Sequence, residues 1–128
     1  MLSLAARGVN PSVVNDQYGR LTFTSELASA IKHLLATKAP FGTYNVTGNG
    51  TVSSWADVAE KVFVLAGYDR RRVNRVSSEE YFANTSRPLA PRPTNSVLDL
   101  TKISNIGYVS CDSDQMLYEY VRGFTPPP

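Results

Sequence analysis

A short apolar segment, an amphipathic helix and a second short apolar segment follow one another in the first third of the chain. Residues 12–15 and 43–46 predict two buried strands, and between them apolar residues recur at helical spacing from position 27 to position 35. Because a helical crossover joins parallel strands, we predict that these two strands are parallel neighbours in one sheet. Parallel sheets need cover on both faces, so the sequence indicates part of a larger α/β sheet.

Later helices are marked by their first residues. Four predicted helices begin with a residue whose side-chain oxygen can accept from first-turn backbone N–H groups: Thr24, Ser54, Ser77 and either Asp112 or Ser113. In the second of these helices, Trp55 and four apolar residues are predicted to share one face. The fold class is therefore α/β, with short parallel strands, helices and a small additional subdomain.

Composition limits the possible functions. The chain has 128 residues, of which 42% are hydrophobic, enough for one compact domain. Its net charge of +2 is too small to indicate nucleic-acid binding, and no apolar run approaches the roughly 18–20 residues that cross a membrane. A single cysteine, Cys111, and a single histidine, His33, exclude an internal disulfide and a Cys/His metal cluster. We expect a cytoplasmic protein without a metal site.

Three polar segments are candidates for ligand binding: residues 16–24, 47–55 and 87–99. The first two each follow a predicted strand, and loops at the carboxyl ends of parallel strands line the ligand crevice of such sheets. The third contains Arg92 between Pro91 and Pro93, and a guanidinium group suits phosphate oxygens. Residue types alone leave a plainer alternative open for each: a turn with a helix cap, a packed Trp55, and a surface ion pair of Arg92.

Motifs for self-contained catalysis are absent from the sequence. No glycine-rich G-x-G-x-x-G turn follows a strand, and no tyrosine is followed four residues later by lysine. The sequence also lacks G-x-S-x-G, H-E-x-x-H and P-loop motifs. We therefore assign no catalytic residue to this chain.

Three motifs resemble those of dTDP-4-dehydrorhamnose reductases, a branch of the extended short-chain dehydrogenase/reductases. Residues 13–22 are similar to V-V-x-D-Q-x-G-x-P-T, with Leu21 in place of the usual proline. Residues 44–57 resemble Y-H-x-x-x-x-G followed by S-W-x-[DE], and residues 92–99 resemble R-P-x-N-S-x-L-[DN]. The motifs occur in the family's order and cover almost the whole chain.

This resemblance implies an NADPH-dependent parent enzyme that reduces dTDP-4-dehydro-L-rhamnose to dTDP-L-rhamnose for cell-surface polysaccharide. Residues 1–125 would be its C-terminal substrate-binding portion and 126–128 a loose tail. The cofactor-binding Rossmann half would be missing, so we expect the chain alone to bind no NADPH and to be inactive. The substrate-binding residues that the resemblance implies are Asp16, Gln17, Gly19, Arg20, Thr22, Trp55, Arg92, Asn95 and Ser96.

Other functions stay open at this point. A parent fused to a dTDP-4-dehydrorhamnose 3,5-epimerase, and assembly into a homo-oligomer, are both compatible with the resemblance. A non-enzymatic interaction module of the same fold, like the regulatory subunit of methionine adenosyltransferase, is the main alternative. A nucleotide-sugar epimerase or dehydratase is a third, although the D-Q-x-G segment at positions 16–19 argues against it.

Overall fold

The computed structural model describes residues 1–83 and 90–124. Arg87 and the predicted tail 126–128 lie outside these described residues. The described elements, in chain order, are α1 (Leu2–Ala6), β1 (Ser12–Val14), β2 (Tyr18–Gly19), α2 (Thr24–Ala36), β3 (Ser53–Ser54), α3 (Trp55–Leu65), a 3-10 turn (Arg70–Arg72), β4 (Asn74–Val76), α4 (Ser78–Phe82), α5 (Thr101–Ser104) and α6 (Ser113–Gly123). Helices and parallel strands together confirm the predicted α/β class.

Strand β1 pairs in parallel with β4, not with residues 43–46. Val13 lies opposite Arg75, and the pairing extends through the Asn15 N–H, which donates to the Val76 carbonyl over 2.9 Å. The prediction that 12–15 and 43–46 are neighbouring strands is therefore wrong. A local apolar pattern predicts an extended segment, but the choice of its neighbour depends on contacts far along the chain.

Residues 43–46 are held by side chains and form no assigned strand. Tyr44 and Val46 pack against the cluster that contains Ala30 and Ile103. Lys102 Nζ donates to the Thr43 carbonyl over 2.8 Å, and its ammonium group lies 4.5 Å from the Tyr44 ring centroid. Apolar packing and one cation–π contact thus hold this segment in place of the backbone hydrogen bonds that a strand would make.

Helix α3 lies at the centre of the packing. One buried cluster joins it to α1, to β1 and to the residue before β4 through Ala5, Val13, Ala56, Ala59, Phe63 and Val73. A second cluster joins its other side to α6 through Val62, Leu117 and Val121. The Lys61 ammonium group also bonds the Asp114 carboxylate of α6 over 2.6 Å. Helix α3 therefore contacts α1, β1, β3, the 3-10 turn and α6.

Helix starts agree with the sequence in three places, at Ser54, Ser77 and Asp112, and differ in a fourth. Ser54 forms the predicted capping box with Asp57, and Asp112 caps α6 by accepting from the N–H groups of Asp114 and Gln115. At α2 the prediction was wrong, since Phe23 is the N-cap and Thr24 is the first helical residue. The Thr22 hydroxyl, just before this cap, bonds the hydroxyl of buried Thr47 over 2.8 Å.

The arginines of the 3-10 turn bind other residues of the chain. Arg70 pairs with the buried carboxylate of Glu60, and Arg71 pairs with Asp69. The Arg72 guanidinium lies 5.3 Å from the ring centroids of both Phe63 and Tyr68. This turn is thus occupied by intramolecular contacts. Separately, none of the described helices is long and apolar enough to cross a membrane.

Candidate functional site

The three polar segments meet at Tyr18. On one side, β2 pairs antiparallel with β3, so that Tyr18 lies opposite Ser54. On the other side, the Tyr18 N–H donates to the Thr94 carbonyl and the Ser96 N–H donates to the Tyr18 carbonyl, both over 2.8 Å. Backbone hydrogen bonds therefore fix the D-Q-x-G segment, the segment before α3 and the R-P-x-N-S segment in one small sheet.

A cavity of about 500 Å³ opens beside this junction. We call it the Trp55 cleft. Three of the predicted site residues line it, namely Gln17, Trp55 and Arg92. The other contributions come from β1, from α3, from Met1 and from the aromatic pair Tyr81 and Phe82 of α4. The cleft is thus apolar on its strand and helix sides and carries an amide and a guanidinium group.

Arg92 is exposed at the cleft. Within residues 1–83 and 90–124, no carboxylate lies within ion-pair distance of its guanidinium group. The described contacts therefore do not support the alternative in which Arg92 forms a surface ion pair. An uncompensated guanidinium group beside a cavity is suited to an anionic ligand.

Trp55 does not pack in the core. As the first residue of α3 its side chain is 53% exposed, whereas Ala59, Val62 and Phe63 of the same helix are buried. The prediction that Trp55 shares their buried face is wrong, because residues at a helix start project past the neighbouring elements that cover later turns. Its indole instead lines the cleft.

Asp16 and Gln17 bind the beginning of α4. The two carboxylate oxygens of Asp16 accept from the Ser78 N–H over 2.8 Å and from the Ser78 hydroxyl over 2.7 Å. Gln17 Nε2 donates to the same hydroxyl over 2.7 Å. The hydrogen bonds from Ser78 hold the pKa of Asp16 below its usual value. Asp16 therefore positions the helix that carries Tyr81 and Phe82.

The remaining predicted residues lie around the cleft without lining it. The Arg20 guanidinium donates from Nε to the Gly50 carbonyl over 3.0 Å and faces a separate polar cavity of about 430 Å³. Gly19 lines a small pocket next to Trp55. The Asn95 side chain accepts from the Val97 N–H over 2.9 Å, as in an Asx turn. For these residues, as for Thr22 and Ser96, contact with substrate stays a prediction.

Sequence reasoning missed Tyr81 and Phe82 as cleft residues. The pattern predicted them only as part of a short helix, since nothing local places that helix beside Trp55. Their rings contact each other edge to face, with centroids 5.0 Å apart. The signal that could have identified them is that two aromatic residues stand side by side shortly before the proline–arginine segment.

The glycine loop at positions 48–50 does not fit the diphosphate of a nicotinamide cofactor. A Cβ at Gly48 would lie 2.7 Å from the Leu21 carbonyl oxygen, and one at Gly50 would collide with the Asp112 carboxylate. The space over this loop is therefore filled by the protein's own atoms. A carboxylate beside Gly50 would also repel a phosphate, so the loop lacks the open, positive character of a dinucleotide site.

Comparison with known proteins identifies the family of this chain. Residues 1–124 match the family described as the RmlD substrate binding domain. The chain belongs to this family. The dTDP-4-dehydrorhamnose reductase of Streptomyces griseus is 37% identical over 106 residues, which are 80% of this chain and 33% of that protein. The spore coat polysaccharide biosynthesis protein SpsK of Bacillus subtilis is 33% identical over 122 residues, or 95% of this chain and 40% of SpsK.

A solved structure extends the likeness to the fold. The dTDP-4-dehydrorhamnose reductase of Bacillus anthracis, crystallised in complex with NADP, aligns with a TM-score of 0.78 at 29% identity. The alignment covers 94% of this chain and 40% of the reductase. This member of the RmlD substrate-binding family thus spans about two fifths of the length of that reductase and of SpsK.

Proposed function

We propose that this chain binds the sugar nucleotide in an NADPH-dependent reductase that converts dTDP-4-dehydro-L-rhamnose to dTDP-L-rhamnose. The observation that carries the proposal is the Trp55 cleft, where Gln17, Trp55 and Arg92 come from three separate family motifs. Membership of the RmlD substrate-binding family and the names of the relatives support the same substrate class. The name of SpsK supports a role in polysaccharide biosynthesis.

In this proposal the chain's residues bind and orient the sugar nucleotide, and they do not transfer hydride. The Arg92 guanidinium bonds the diphosphate, and the Gln17 amide bonds a polar group of the ligand. Asp16 keeps α4 in place through Ser78. The small sheet at Tyr18 fixes the segments that carry Trp55 and Arg92. NADPH supplies the hydride from a part of the enzyme that is not among these residues.

Titration with dTDP-L-rhamnose tests the proposal directly. We expect amide chemical-shift changes in the isotope-labelled chain to concentrate at residues 16–19, 53–55 and 92–96, because these segments surround the cleft. Shifts confined to the polar cavity beside Arg20, or an absence of binding up to millimolar ligand, would contradict the assignment.

A titration with NADPH should give the opposite result to that with dTDP-L-rhamnose. Because the 48–50 loop is filled by Leu21 and Asp112, we expect no measurable binding of NADPH by calorimetry. A micromolar dissociation constant would show that this chain holds the cofactor itself, and the division of roles proposed above would be wrong.

A further inference from the structure

The polar cavity of about 430 Å³ beside Arg20 shares no lining residue with the Trp55 cleft. We call it the Arg20 cavity. Its walls come from the residue after β2, the glycine loop, α5 and the segments on either side of α5. Its polar lining residues include Arg20, Asn49, Asp99, Ser104, Asn105 and Ser110. The proposed function makes no use of this cavity.

Arg20 and Asp99 bring opposite charges to the Arg20 cavity without pairing with each other. The bond from Arg20 Nε to the Gly50 carbonyl fixes the guanidinium group through only one of its five N–H donors. Asp99 Oδ1 accepts from the Thr101 N–H over 2.9 Å and from the Thr101 hydroxyl over 2.6 Å. These bonds hold the pKa of Asp99 below its usual value, so the carboxylate is ionised near neutral pH. Across the described part of the chain, every ion pair involves other residues.

Ser110 also lines the Arg20 cavity, and only 9% of its surface is exposed. Its hydroxyl oxygen is buried and has no hydrogen-bond partner within residues 1–83 and 90–124. Buried hydroxyl groups are nearly always paired, since an unpaired one costs stability. Serine side chains rotate between staggered positions, and this one gives up no hydrogen bond when it turns toward a ligand. A ligand with hydroxyl groups of its own would supply the missing partner.

We propose that the Arg20 cavity is a binding site for a neutral monosaccharide. An anionic ligand would be repelled by Asp99 and a cationic one by Arg20, so the paired presence of both charges favours a ligand without net charge. Sugar hydroxyl groups both donate and accept, so one ring can accept from the guanidinium group and donate to the carboxylate. The inference goes beyond the proposed function, because it concerns a second site and a free sugar.

The rest of the lining matches a sugar ring, which carries C–H groups as well as hydroxyls. Leu98 and Val109 line the cavity and are 42% and 80% exposed, so they offer apolar contact to the C–H groups. The amides of Asn49 and Asn105 each add two donors and one acceptor. Apolar walls with a few polar groups that fix orientation are typical of small-molecule sites, and the volume lies in their range.

The experiment titrates the intact, isotope-labelled chain with three probes: D-glucose, D-glucose 6-phosphate and glycine. The first is neutral, the second adds a negative charge to the same ring, and the third is a zwitterion without a ring. The variants are Arg20→Gln and Asp99→Asn, because asparagine can keep the turn with Thr101. Arg122→Gln, on the exposed surface of α6, is the matched control. Thermal melting checks that each variant is folded.

We expect glucose to shift the amide signals of residues 98–110 and of Asn49, with a dissociation constant on the order of millimolar. Arg20→Gln should weaken glucose binding by about tenfold, and Arg122→Gln should leave it unchanged. Glucose 6-phosphate should bind more weakly than glucose to the unmodified chain. Asp99→Asn should reverse that order, because it removes the repelling charge and leaves Arg20 uncompensated.

Four results would overturn the inference. Tighter binding of glucose 6-phosphate than of glucose to the unmodified chain would make the cavity an anion site, and tighter binding of glycine would make it a zwitterion site. Equal effects of Arg20→Gln and Arg122→Gln would exclude the guanidinium group. An absence of shifts at residues 98–110 up to about 100 mM glucose would exclude the sugar. None of these results bears on the binding of dTDP-L-rhamnose in the Trp55 cleft, so the proposed function is tested separately.

Discussion

Arg75 and Arg92 carry the same guanidinium group in opposite surroundings. Arg75 donates to Asp57 over 2.7 Å and to the buried Glu60 over 3.0 Å, so its charge is compensated within the chain. Arg92 has no carboxylate partner among the described residues and lines the Trp55 cleft. The first therefore stabilises the fold, and the second is placed to bind an anion.

Replacing Arg92 tests this difference. A hydrogen bond to a charged group contributes roughly 1.5–3 kcal/mol, so Arg92→Ala should weaken dTDP-L-rhamnose binding by about ten- to a hundredfold in calorimetry. Arg92→Lys should recover only part of the loss, because an ammonium group lacks the bidentate fork. Arg122→Ala, on the exposed surface of α6, is the control. Unchanged affinity for Arg92→Ala would make Arg92 an ordinary surface residue.

Cleft residues that belong to a family motif could be identified from the sequence. Cleft residues that only tertiary packing brings there could not. Gln17, Trp55 and Arg92 belong to contiguous family motifs, and all three line one cavity. Asp16 belongs to such a motif too, yet both of its oxygens bind Ser78, 62 positions away. Tyr81 has no motif signal of its own. Its place depends on that long-range hydrogen bond, which no local pattern encodes.

At the scale of elements, most helix caps were predictable and strand partners were not. Ser54 and Asp112 cap their helices through side-chain bonds within three residues, so the sequence contains all the information needed. The pairing of β1 with β4 joins Val13 to Arg75, and it forms because α3 covers β1. Residues 43–46 were also predicted as a short strand, but they pack by side chains instead.

The capping box of α3 makes stability depend on pH. Burial opposes ionisation of Asp57, but hydrogen bonds from Ser54 and Arg75 outweigh it and hold its pKa at about 2, against 3.8 ordinarily. A folded-state pKa below the unfolded value stabilises the protein above about pH 4, and that contribution is lost as the pH falls toward 2. Because the carboxylate is about one-third exposed, Asp57→Asn should cost only about 1 kcal/mol at pH 7.

Urea denaturation at several pH values measures this contribution. The difference in unfolding free energy between the unmodified chain and Asp57→Asn should shrink as the pH is lowered from 5 to 3. Glu119→Gln, which removes an exposed carboxylate on α6, controls for the loss of one negative charge. A difference that stays constant across this range would show that the ionised form of Asp57 is not what stabilises the helix.

At the scale of the whole molecule, one face of α2 is uncovered. Leu27, Ile31 and Leu35 follow one another at intervals of four residues and are 39%, 58% and 74% exposed. Phe41, just beyond the helix, is fully exposed, and residues 43–46 next to it form no assigned strand. Contiguous apolar surface of this kind promotes association in water. We call the three α2 residues the α2 stripe.

The α2 stripe predicts that the chain self-associates. Sedimentation velocity should show an average mass that rises with concentration, because pairing two stripes removes apolar surface from water. Ile31→Glu, at the centre of the stripe, should shift this rise to at least tenfold higher concentration by placing a charge where burial is costly. Val64→Glu is the matched control, since Val64 is similarly exposed at 55% but lies on α3. If the unmodified chain stays monomeric at millimolar concentration, or if both variants act alike, the stripe is not the associating surface.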